Sequence, residues 1–128
     1  MSRERTPFEY VLIRAIPRVD RGESVNVGVV LYSQARDYLG CAYHLDEARV
    51  LALAADADLE AIEAALAGID AVCAGGGAEG SAAAQPLRVR FGWLAAPRST
   101  VVQPGPVHTG MTDDPAAELA RLLDRLVR

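Results

Sequence analysis

The chain has 128 residues, about half of them apolar and about a quarter charged, a length and composition that fit one globular domain spanning 1–128. All thirteen basic residues are arginine. Without lysine there is no lysine Schiff base and no P-loop lysine, and the usual kinase machinery cannot be built. A formal net charge of −4 argues against a nucleic-acid partner, because counterion release from phosphates rewards a basic surface.

The first element expected is a strand over 9–16, rich in Tyr, Val, Leu and Ile and stopped by Pro17. A charged turn follows over 18–23, centred on Gly22, and leads into a second strand over 24–32. Pairing Ile13 with Val29 would put Val11, Ile13 and Ala15 on one apolar face with Val27, Val29 and Leu31. On the opposite face that register sets Arg14 across from Gly28 and Ile16 across from Asn26.

A third strand is expected over 38–45. Asp46 is the expected N-cap of a short helix ending near Ala54. A longer helix, 58–73, is read from Leu59, Ile62, Leu66, Ile69 and Val72 at spacings of three and four. The Gly/Ala-rich stretch about 74–86 has no periodicity and reads as a flexible loop. Leu87 to Leu94 alternates apolar and polar residues, which predicts a strand with Arg88 and Arg90 toward solvent. The Pro- and Gly-rich segment 95–112 reads as surface loop with a short extended piece at 100–103. Asp114 and Pro115 open a final helix whose Leu119, Leu122, Leu123 and Leu126 form an apolar stripe suited to the core. This order predicts an α+β fold, an antiparallel sheet of four to five strands with two to three amphipathic helices against it.

Two polar regions are candidate binding sites for a partner or ligand. One comprises Arg14, Arg18, Arg21, Glu23 and Asn26, around the first hairpin, where arginines, a carboxylate and an amide could orient a polar ligand. The bland alternative is a solvated charged turn with Gly22 supplying a positive φ. The other comprises Arg98, Ser99, Thr100 and His108, where an arginine beside two hydroxyls suits an anion and the histidine titrates near neutrality. Its bland alternative is a set of hydrogen bonds anchoring a loop.

No catalytic constellation is complete: Ser99 lacks a nucleophile elbow, and the scattered histidines and cysteines match no metal-ligand spacing. No catalytic residue, metal or cofactor is therefore assigned. Cys41 and Cys73 fit no paired motif. The polar opening residues 1–8 and the absence of a long apolar run make the cytoplasm the expected location, away from membranes.

The stretches YVLIRAIPRVDRGESVNVGVVLY (10–32) and FGWLAAPRSTVVQPGPVHTGMTDDP (91–115) resemble the bacterial domain-of-unknown-function family DUF3037. The matching features are the Arg21-Gly22-Glu23 turn before Asn26 to Val29, the segment Ala96 to Thr100, and His108 downstream. The resemblance implies a compact bacterial cytosolic protein and transfers no activity. Members neighbouring toxin-kinase-like genes imply an accessory role. The leading expectation is a non-enzymatic module that binds another protein or associates with itself. The alternative is a small enzyme or ligand-binding module that engages an anionic, phosphorylated small molecule.

Overall fold

The computed structural model describes residues 4–128, so the polar opening read over 1–8 lies outside the described residues at 1–3. Strand β1 (Thr6–Ala15) and strand β2 (Val25–Ser33) form an antiparallel hairpin, and β3 (Tyr38–Tyr43) pairs with the far side of β2. Helices α1 (Glu47–Leu53) and α2 (Leu59–Ala74) follow, capped by the side chains of Asp46 and Asp58, which accept from the amides of Arg49 and Ala61. After a short 3₁₀ turn at Ala82–Ala84 come α3 (Leu87–Ala95), β4 (Val102–Pro104), β5 (His108–Thr112) and α4 (Pro115–Leu126). The five strands make one sheet in the order β3-β2-β1, with β4 and β5 end to end along the outer edge of β1. This is an α+β fold with an antiparallel sheet. Among the described residues, no helix is long and apolar enough to cross a membrane.

The sheet is covered on both faces. Val11, Ile13, Ala15, Val27, Val30 and Tyr32 pack with Val50, Ile62, Leu66, Phe91 and Leu94, under α1, α2 and α3. On the other face Phe8, Val29 and Leu31 pack with Leu119, Leu122 and Leu123 of α4. Every residue of β2 from Val27 to Ser33 is buried in consequence. The C-terminal leucine stripe is core, as its spacing indicates.

Double coverage corrects the expected hairpin register. Ile13 pairs with Gly28, and Leu12 with Val29. A bulge between Ile13 and Arg14 then sets Arg14 opposite Asn26 and Ala15 opposite Val25, so Arg14 does not face Gly28 and Asn26 does not face Ile16. The single apolar surface expected for Val27, Val29 and Leu31 is divided: Val27 turns to the three-helix face, Val29 and Leu31 to α4. Alternation fixes a register only where one face is wet.

The segment 87–94, expected to be a strand, is helix α3. Pro86 precedes its first turn, and Leu87, Phe91 and Leu94 supply a helical inner stripe at spacings of four and three. Phe91 stacks on Tyr32 with ring centroids 5.3 Å apart, which docks the helix on the sheet. Arg90 is not a solvent-facing strand residue. Its guanidinium donates to the carbonyls of Val72 and Cys73 at 2.8 and 3.0 Å and to Gln85 at 2.8 Å, closing the C-terminus of α2. The loop expected over 95–112 contains both β4 and β5. Strand β5 has little intrinsic strand propensity. It is held by pairing with β1, where the Phe8 ring occupies the space a Cβ on Gly110 would need.

Truncating the core from either side tests this two-faced arrangement. Leu66→Ala and Leu122→Ala are each expected to lower the unfolding free energy by about 2–4 kcal/mol, read from urea titration. A loss below about 0.5 kcal/mol for Leu122→Ala would show that α4 is not an integral layer.

Candidate functional site

The first polar region closes largely on itself. The hairpin turn is fastened by the amides of Arg21 and Gly22, which both donate to the Arg18 carbonyl, with Gly22 at φ +72°. Arg18 pairs with Asp20 at 3.0 Å and Arg21 with Glu23 at 2.5 Å, all four side chains open to water. The Arg18 hydrogen bond holds the Asp20 carboxyl below its ordinary range, and the Glu23 hydrogen bond raises the Arg21 guanidinium further. Asn26 points the other way. Its amide donates to the Leu126 carbonyl at 3.1 Å, satisfying one of the last backbone acceptors of α4. Arg14 lies beside it on the same face, with its guanidinium packed where Gly105 leaves room.

The second region also divides. Arg98 donates to the Trp93 carbonyl at 2.5 Å, and its guanidinium lies 4.7 Å from the centre of the Trp93 ring, a cation–π arrangement. Thr100 donates its hydroxyl to the Val102 carbonyl at 2.7 Å, and Ser99 is exposed. His108 is remote from both, stacked on Tyr10 with ring centroids 5.2 Å apart. Arg98 and Thr100 therefore share one site. Arg14, Asn26 and His108 lie on the α4 face of the sheet, and Arg21 and Glu23 neutralise each other in the turn.

The structure builds a site that these residues only partly outline. Two adjoining clefts run along the flank of α2 and meet at Val101. The first, about 560 Å³, is walled by Arg18, Val19, Ala61, Ile62 and Val101 and rimmed by Asp20, Asp56 and Asp58. The second, about 460 Å³, is walled by Ala65, Gly68, Ile69, Trp93 and Val101, with Arg98 and Thr100 at its rim. Large apolar side chains stay wet here: Trp93 is 49% exposed, Val19 46% and Val101 39%. The strand reading of 87–94 hid this surface by pointing Trp93 into the core. Helical spacing places Val89 and Trp93 one turn apart, off the Phe91 and Leu94 stripe, and that signal would have found it.

Reactive groups are few. Cys41 and Cys73 are free thiols in contact across β3 and α2, and their hydrogen bond together with burial pushes the Cys41 thiol well above its ordinary range. Among the described residues no three His, Cys, Asp or Glu side chains gather to hold a metal ion.

The fold and clefts thus define an α+β domain with an open apolar groove. The profile of the protein family of unknown function DUF3037 matches residues 10–127, and the chain belongs to that family. No curated protein and no solved structure matches it significantly.

Two outcomes check these roles. Asn26→Asp replaces the donor to Leu126 with a second acceptor beside a helix C-terminus and is expected to cost about 1–3 kcal/mol in urea unfolding. Arg21→Ala, which removes only a water-exposed ion pair, should leave the midpoint unchanged. In the native protein at pH 8, Cys41 is expected to resist a thiol-specific disulfide reagent until denaturant is added, because its raised pKa keeps it protonated. Immediate labelling of Cys41 would contradict the buried thiol contact.

Proposed function

We propose that this protein is a non-catalytic interaction module whose α2 groove receives an extended segment of another protein. The observation that carries the reading is the line of wet apolar side chains, Val19, Val101 and Trp93, set in two clefts that share a wall. Exposed apolar residues are ordinary when scattered, but lined up inside a concavity they mark a surface awaiting a partner. Trp93 braced by Arg98 has the composition of an interface anchor, a large rigid ring whose face is already held.

The charges at the two ends specify what would fit. The end near the start of α2 carries Asp20, Asp56 and Asp58 against Arg18 alone, whereas the other end carries Arg98. A complementary segment has a basic residue at the first end, apolar side chains in the middle, and a carboxylate at the second. From Asp58 to Ile69 the helix advances roughly 16 Å, the span of about five extended residues.

A second reading, binding of a small anionic ligand, is supported at Arg98 and Thr100 alone, since Arg21, Asn26 and His108 lie elsewhere. One arginine with Trp93 as a stacking surface is a weaker anion site than the convergent cluster that reading called for.

Co-purification from the native host tests the proposal. A stoichiometric partner should accompany the wild-type protein and be lost on Val101→Asp. It should be retained on Val107→Asp, a like change at an exposed valine outside the groove. A partner retained by both variants would move the interface away from the groove. Wild type recovered alone would remove the support for a protein partner and turn attention to anionic small molecules at Arg98.

A further inference from the structure

A sheet with two open edges has to keep foreign strands off both, and here the two edges differ. Along β1, alternate residues point their main-chain groups toward β2 or toward the β4–β5 edge. The amide of Gly105 donates to the Leu12 carbonyl, and that of Ile16 donates to the Val101 carbonyl. The even-numbered residues of β1 therefore bond β4 and β5, leaving Val102, Pro104, Thr109 and Met111 pointing outward. That outer edge is blunted. Pro104 has no N–H, the Val102 carbonyl accepts from the Thr100 hydroxyl, and the Met111 carbonyl accepts from Arg5 at 2.8 Å.

The β3 edge carries no such device. Strand β2 bonds β3 through the pairs Val29–Ala42, Leu31–Gly40 and Ser33–Tyr38, in phase with the His44 amide that donates to the Val27 carbonyl. Leu39, Cys41 and Tyr43 thus turn their N–H and C=O groups outward. Among the described residues nothing bonds them, and none of the three is fully buried. The strand, Tyr-Leu-Gly-Cys-Ala-Tyr, contains no charge and no proline.

We propose that the β3 edge is a self-association surface, pairing antiparallel with β3 of a second copy of this chain. The register follows from the alternation. Setting Cys41 opposite the partner copy's Cys41 brings Leu39 opposite Tyr43 and pairs every outward N–H and C=O of all three residues, whereas a shifted register leaves some unpaired. An uncharged strand meets itself without like-charge repulsion. The charges at its two ends are already engaged, Arg36 with Thr6 and the Glu4 carbonyl and Asp46 with Arg49, so the main chain of the strand carries the pairing. The contact is isologous, so it closes at two copies and continues the sheet across the dimer. Strand β3 is the opposite edge of the sheet from β4, and none of Leu39, Cys41 and Tyr43 lines the α2 groove, so the inference is independent of the proposed partner site.

Sedimentation of the wild-type protein over a range of concentrations, with residue-resolved amide exchange at the two extremes, tests this. The mass is expected to double with concentration, and the Leu39, Cys41 and Tyr43 amides are expected to slow by at least about tenfold in the dimer. Tyr43→Pro, which removes an outward N–H at the end of the strand, should remain monomeric. Thr109→Pro, the same change on the blunted edge, should dimerise normally. A wild-type protein that stays monomeric at the highest attainable concentration overturns the proposal, as does a dimer in which those three amides are unaffected or which Thr109→Pro abolishes. If Tyr43→Pro fails to fold, the wild-type exchange data decide.

Discussion

The structure depends on keeping strand β2 dry on both faces. From Val27 to Ser33 every residue of it is buried, with helices above and below. Leucines of α4 cover Val29 and Leu31, while α2 and α3 cover Val27, Val30 and Tyr32. The bulge opposite Ile13 and Arg14 follows from the same demand, since it lets Val27 and Val30 face one layer while Asn26 turns toward the end of α4. Asn26 there supplies what a buried helix terminus lacks, a donor for its last carbonyls. A residue that reads as a ligand contact is a structural fastening.

Much of this was legible in the residues. The strand–strand–strand–helix–helix opening, the aspartate caps at positions 46 and 114, and the leucine stripe of α4 are local signals with local causes, and the structure contains them. What was not legible depends on contacts made at long range. A valine-rich stretch between two covers has no wet face to fix its register. Strand β5, built from His, Thr, Gly and Met, exists because β1 offers it a free edge. The segment 87–95 satisfies both periods at once: Leu87, Val89, Phe91 and Trp93 alternate, while Leu87, Phe91 and Leu94 recur helically. Docking of Phe91 on Tyr32, with Arg90 closing α2, decides for the helix.

The candidate site was legible only in part for the same reason. Arg98 and Thr100 do stand at a cleft, and Arg18 at the one adjoining it, but their neighbours come from α2 and α3 rather than from the other polar residues of the sequence. Trp93 became visible once the segment was a helix. Around this core the chain spends its polar side chains on closure: Arg18 on Asp20, Arg21 on Glu23, Arg90 on the end of α2, Arg5 and Thr100 on the outer sheet edge.

With a helical layer on each face of β2, the three layers should unfold as one cooperative unit. Native-state amide exchange in increasing denaturant tests this most directly, by comparing the opening free energies of β2 with those of Leu122 and Leu123 in α4. The two sets are expected to converge on the global unfolding free energy. If the α4 amides instead open at much lower free energy while β2 remains protected, the helix is a detachable cover. Its leucine stripe, rather than the α2 groove, would then be the surface a partner takes.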